Sequence, residues 1–98
     1  MDRTTVLAKL RSYEPELRAA GIVRLSLFGS VARGEPSSES DVDLMAEFDP
    51  ARQFSLLDMV HLENRLTDML GVRVDLTSMR AMKPHVRARA THEAVLAF

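Results

Sequence analysis

Asp41 and Asp43 stand two residues apart in the segment Ser40-Asp41-Val42-Asp43-Leu44. On a strand, that spacing projects both carboxylates from one face while Val42 and Leu44 point the other way, toward a core. Neighbouring carboxylates repel and raise one another's pKa, a standing cost that a divalent cation removes. A donor set made only of oxygens suits magnesium or manganese. Acid-x-acid pairs also occur on exposed strand faces without any ligand, so the weight of this one depends on what surrounds it.

Two further features supply that context. Gly29-Ser30 directly follows an apolar run ending in Leu27-Phe28, and a short helical turn through Val31-Ala32-Arg33 can begin there. Backbone N–H groups at such a turn favour an anion, glycine lets phosphate approach closely, and the Ser30 hydroxyl adds a donor. Arg33 can neutralise phosphate charge, or be an exposed arginine without special role. Better-known phosphate loops do not fit. Gly29 and Gly34 have the outer spacing of a Walker A loop, but Glu35-Pro36 stands where lysine and a hydroxyl residue are required, and no G-x-G-x-x-G occurs. Asp75, on the polar face of a later strand, is the third carboxylate. If that strand pairs beside the one carrying Asp41 and Asp43, facing positions come within roughly 5 Å. Three carboxylates can hold two divalent ions about 3.5–4 Å apart for an in-line displacement at phosphorus, and Asp75 can alternatively serve as a general base.

These residues need elements to carry them. Val6, Leu7, Leu10 and Tyr13 recur at helical spacing, with Thr4 or Thr5 as the expected cap; Pro15 breaks or kinks that helix or opens a fresh turn, and Gly21 ends it. Residues 22 to 28 read as a strand with Val23, Leu25 and Leu27 on one face and Arg24, Ser26 and Phe28 on the other. Gly34 to Ser40 is a polar loop, and Asp41 to Phe48 a second strand that ends at Asp49-Pro50. Ser55 and Asp58 form a capping pair for a helix whose apolar stripe is Met59, Leu62, Leu66, Met69 and Leu70, stopped by Gly71. Val72 to Thr77 alternates as a third strand, and Pro84 opens a last helix expected over residues 84 to 97. The order helix, strand, strand, helix, strand, helix describes an α+β domain with helices packed on one face of a small mixed sheet.

Composition bounds the reading. Ninety-eight residues, 46% of them hydrophobic, fit one domain over residues 1–98 with a real core. Cysteine is absent, which excludes disulfides, thiolate zinc sites and a thiol nucleophile. The opening residues lack a signal-peptide pattern and no apolar run is long enough to span a bilayer, so a cytoplasmic protein is expected, with no membrane partner. A net charge of −1 disfavours extended nucleic acid as a partner. Arg80, Lys83, Arg87 and Arg89 read as a solvated helix face, and His61, His85 and His92 lack metal-ligand spacing. Met59, Met69, Phe48 and Phe54 read as core. Phe98 is either a frayed terminus or a small anchor for a partner.

The run Leu27-Phe28-Gly29-Ser30-Val31-Ala32-Arg33-Gly34, a polar loop, and Ser40-Asp41-Val42-Asp43-Leu44 together resemble the signature of the DNA polymerase β-like nucleotidyltransferase superfamily. Ser55-Leu56-Leu57-Asp58 and Val72-Arg73-Val74-Asp75-Leu76 extend the likeness, nearly end to end, to its minimal nucleotidyltransferase family. The resemblance implies a polymerase β palm-like fold in which Gly29 and Ser30 hold the triphosphate, Asp41 and Asp43 ligate Mg2+, and Asp75 completes the site. It also implies ATP as substrate and a HEPN-domain ribonuclease toxin as partner, which some members of the family silence by attaching AMP to a tyrosine. Either a homo- or a hetero-oligomer is compatible with this picture. Two other readings stand beside it: an antitoxin that neutralises its partner by binding alone, and a transferase acting on RNA ends or a small molecule.

Overall fold

A computed structural model describes residues 2–35 and 41–98. The chain begins with helix α1 (Arg3–Ser12), capped by Asp2, whose carboxylate accepts the Thr5 N–H at 2.7 Å. The cap is therefore not Thr4 or Thr5: Asp2 is extended and Thr4 and Thr5 lie within the first turn. Pro15 opens a fresh helix, α2 (Glu14–Ala19), in which its fixed φ and missing N–H cost nothing at the first turn. Strand β1 (Ile22–Phe28), the one-turn helix α3 (Gly29–Ala32) and strand β2 (Val42–Phe48) follow. The expected polar loop falls, beyond Gly34 and Glu35, outside the described residues.

Helix α4 (Leu56–Leu70) starts at a complete capping box. Ser55 Oγ accepts the Asp58 N–H at 3.1 Å, and the Asp58 carboxylate accepts the Ser55 N–H at 2.9 Å. Its end is Gly71, in the left-handed conformation at φ 73°. Strand β3 (Val74–Ser78), a 3-10 turn (Met79–Ala81), helix α5 (Pro84–Glu93) and the short strand β4 (Val95–Leu96) complete the order. Replacing Ser55 with alanine is expected to cost about 1 kcal/mol, because the Asp58 N–H loses its side-chain acceptor while the Asp58 carboxylate keeps only its half of the box. Thermal unfolding should register this as a fall of about 4–8 °C; an unchanged midpoint would show that α4 is held by its packing alone.

The four strands form one mixed sheet in the order β3-β2-β1-β4, with β1 antiparallel to both neighbours and β2 parallel to β3. One face carries Leu25, Leu27, Val42, Leu44, Ala46, Val74 and Leu76 against Val6 and Leu10 of α1, Leu17 of α2, and Leu62, Leu66 and Leu70 of α4, all buried in one cluster. This is the α+β arrangement that the periodicity predicts, with α1, α2 and α4, though not α5, in the helical layer on that face. Each buried leucine contributes about 1.5–3 kcal/mol of apolar transfer. On the opposite face Met45 and its cross-strand partner Ser26 are also buried, at 2% and 6% exposure. There the 3-10 turn contacts β2 and α5 contacts β1, with Ala90 the buried residue of α5.

Two expectations are corrected. Val23 does not face the core: it is 44% exposed, while Ile22 is 2% exposed. The pairs Ile22↔Phe48 and Arg24↔Glu47 leave Val23 as an extra residue, and this bulge reverses the inside–outside alternation at the start of β1. The last helix ends at Glu93 rather than running to 97. Ala94 turns extended, Val95 and Leu96 pair with Leu27 and Ser26, and Leu25 exchanges hydrogen bonds with Ala97 and Phe98 at 2.9 and 3.1 Å. The open edge of β1 needs backbone partners, and the β-branched, apolar tail supplies them. Phe98 is thus not frayed. It packs against the core, with the Arg18 guanidinium 5.0 Å from its ring centroid. Phe48 and Phe54 stack on each other at the core's margin, centroids 4.3 Å apart.

Candidate functional site

Because β1 runs antiparallel to β2 and β2 parallel to β3, the end of β1 and the beginnings of β2 and β3 lie at one end of the sheet. Phe28 pairs with Asp43, and Asp43 pairs in turn with Asp75. Strand spacing of about 4.8 Å therefore separates the Asp43 and Asp75 backbones, and their side chains leave the same face. Asp41 sits just ahead of β2. Its carboxylate lies 3.8 Å from Arg73 in an exposed pair, while the Val42 N–H donates to the Arg73 carbonyl at 2.9 Å. Such a pair is worth little in water and leaves Asp41 free to be recruited elsewhere.

Asp43 is half-buried, and its carboxyl is pushed above its ordinary range, first by burial, then by the charges of Asp75 and Asp41, against a smaller lowering by Arg33. Gly29 makes its position possible. Gly29 has φ +79°, and a Cβ there would run into the Asp43 carboxylate, with Cγ only 3.1 Å away. Glycine at this turn serves the carboxylate as well as any approaching phosphate, a requirement that no single-strand pattern reveals.

From Gly29 the chain enters α3. The first N–H groups of such a turn have no intrahelical partner and point out of its start, and Ser30 is the second residue of that turn. The far end of the turn is tied to α1 by Arg3, which donates to the Ala32 carbonyl at 3.0 Å. Arg33 follows. Its Nε donates to Glu35 at 3.2 Å and its Nη1 to Glu93, at the end of α5, at 3.0 Å. The sequence singled out Arg33 but neither of these carboxylates, nor Arg73. Glu93 is 60 positions away from Arg33, so no spacing rule could have found it.

Three oxygen donors with mutual repulsion at the half-buried member are the donor chemistry that a hard divalent cation fits. Among the described residues, no three His, Cys, Asp or Glu side chains already converge on a single ion-holding point. The backbone register brings Asp43 and Asp75 together, and Asp41 waits at the strand mouth beside Arg73. Two cavities, of about 310 and 390 Å³, lie elsewhere, the first beside Phe54 and His61 and the second between Leu56, Val60 and Leu76. No helix among the described residues is long and apolar enough to cross a membrane.

A mixed sheet with a glycine-serine turn leading out of one strand and paired aspartates on the next two defines a nucleotidyltransferase fold. Residues 7–97 match the nucleotidyltransferase domain family, and the chain belongs to it. It is 36% identical over 87 residues to protein adenylyltransferase MntA of Thermococcus cleftensis, covering 88% of this chain and 86% of that one. A candidate protein adenylyltransferase of Methanocaldococcus jannaschii is 39% identical over 85 residues, 87% of this chain and 89% of the relative. A solved structure described as a candidate minimal nucleotidyltransferase superposes with a TM-score of 0.82 at 40% identity, covering 97% of this chain and 95% of that one. The MNT antitoxin complexed with a tri-AMPylated HEPN toxin of Shewanella oneidensis shares the fold, with a TM-score of 0.71 at 17% identity over 95% of this chain and 71% of the solved one.

Proposed function

We propose that residues 1–98 act as one protein adenylyltransferase domain that moves AMP from ATP to a hydroxyl of a partner protein, and that this silences a HEPN-domain toxin in the cytoplasm. The observation that carries this reading is the Phe28–Asp43–Asp75 register beside the Gly29-Ser30 turn, in a chain more than one third identical to protein adenylyltransferases over most of its length. In this reading Gly29 and Ser30 cradle the triphosphate, Arg33 offsets its charge, and Asp41, Asp43 and Asp75 hold magnesium or manganese. When bound, the cation supplies charge neutralisation for the triphosphate and for the leaving pyrophosphate. Asp75, exposed where Asp43 is half-buried, takes the proton of the acceptor hydroxyl. The new bond joins the acceptor oxygen to the α-phosphorus as the bond from that phosphorus to the pyrophosphate breaks.

The test is incorporation of label from α-phosphate-labelled ATP, with magnesium, into purified protein encoded beside this chain. A labelled acceptor, absent when Asp41 and Asp43 are both asparagine, is the expected result. Exposed Leu56, Leu57 and Val60 at the start of α4, 82%, 63% and 45% accessible, give a second reading its footing: a protein that neutralises its partner by contact alone. If no label is transferred while parent and double variant silence the partner equally, that second reading replaces the first.

A further inference from the structure

Arg33 stands at the phosphate turn between two carboxylates of different character. Glu35 is two residues away, on the polar segment beyond Gly34, with a side chain 68% exposed. Glu93 belongs to the last turn of α5, its side chain is 27% exposed, and its backbone is fixed both by that helix and by the pairing of β4 with β1 just beyond it. The two carboxylates bind different edges of the guanidinium, Glu35 at Nε and Glu93 at Nη1. An arginine flanked by two anions offers little net charge to a polyanion, so one of them has to leave when a triphosphate arrives. Of the two, Glu35 is the one free to leave. It is the more exposed, whereas Glu93 is anchored by α5 and by the β4 pairing beyond it.

We propose that Glu93 is a positioning residue that aims Arg33 at the triphosphate, and that the Glu35 carboxylate is a placeholder which a phosphate oxygen displaces from the Arg33 guanidinium. The exchange keeps the hydrogen-bond count constant: one charge-assisted N–H···O bond to a carboxylate is lost and one to a phosphate is gained. Glu93 meanwhile keeps the guanidinium plane oriented, which lowers the ordering cost of binding. This inference rests on the nucleotidyltransferase reading above and adds to it a division of labour between two acidic residues.

The experiment is calorimetric titration of the full chain with AMP-PNP and magnesium, for the parent, Glu35→Gln, Glu93→Ala and Glu93→Gln, with thermal unfolding of each variant as a check on folding. An exposed ion pair of ordinary strength corresponds to up to about a fivefold change in affinity. Glu35→Gln is expected to tighten binding by about that factor, since the competing anion is gone. Glu93→Ala is expected to weaken it comparably, with Glu93→Gln between parent and alanine because its amide oxygen still accepts from Nη1. In an Arg33→Ala background both effects should vanish. A simple loss of negative charge near an anion site would make both glutamate variants tighter, so changes of the same sign, or effects that persist without Arg33, overturn the inference while leaving the proposed function in place. A parent that binds no AMP-PNP overturns the proposed function itself, and the inference with it.

Discussion

Asp43→Asn should abolish nucleotidyl transfer, by on the order of a thousandfold, the upper end of what removing one charge-stabilising group from a reaction centre costs. In the absence of cation and nucleotide, the same variant should be somewhat more stable than the parent at neutral pH. Both effects have one origin. Asp43 is half-buried between Asp75 and Asp41, and its carboxyl is held above its ordinary value of 3.8. A carboxyl with a raised folded-state pKa binds its proton more tightly when folded than when unfolded. Folding is favoured most while the group is protonated in both states, and stability falls as pH rises from about 3.8 through the raised folded value. Above that window the carboxylate is a standing cost, which asparagine lacks. Melting temperatures measured across this pH range, for parent and variant, should diverge as pH increases and converge again when magnesium is added to the parent. Parallel curves would mean that Asp43 is not strained by its neighbours. Retained transfer in the variant would remove Asp43 from the site.

Gly29→Ala should lower transfer by about a hundredfold, the loss expected when a catalytic group is displaced by about 1 Å. A methyl group at position 29 meets the Asp43 carboxylate, and the backbone there has φ +79°, where a side chain is strained by about 1–2 kcal/mol. Gly71→Ala separates the two contributions. Gly71 has φ +73° with nothing within 4 Å of an added Cβ, so that variant carries the backbone strain without the collision. Similar falls in melting temperature for both, with transfer lost only at position 29, are expected. Equal activity in the two would show that the Asp43 carboxylate moves aside without consequence.

Local features and long-range ones differ in how far a sequence carries them. That Asp43 would project from the face opposite the buried Val42 and Leu44 was legible because strand pleating is local, whereas Asp41 falls just ahead of β2. The helix at Ser55, its end at Gly71 and the turn at Gly29-Ser30 were legible for similar reasons, since caps and turns are satisfied by residues a few positions away. Val23 was misassigned because its bulge exists only relative to the register of β2, and a single strand carries no record of its partner. Residues 95 to 97 read as helix because their preference is weak; the open edge of β1, some 70 positions earlier, decided their conformation.

The sequence by itself determined the local chemistry: an aspartate pair at the start of one strand, a glycine-serine turn, a third aspartate on another strand, and helices with apolar stripes to cover the sheet. The tertiary structure decided which of these meet. Parallel pairing of β2 and β3 sets Asp75 beside Asp43, antiparallel pairing of β1 and β2 sets Gly29 against the Asp43 carboxylate, and the return of α5 sets Glu93 on Arg33. The physical reason is the range of the interactions. Pleat, cap and turn preferences act over a few residues, whereas strand order and helix docking are selected by burial summed over the whole chain, which no short window of sequence contains.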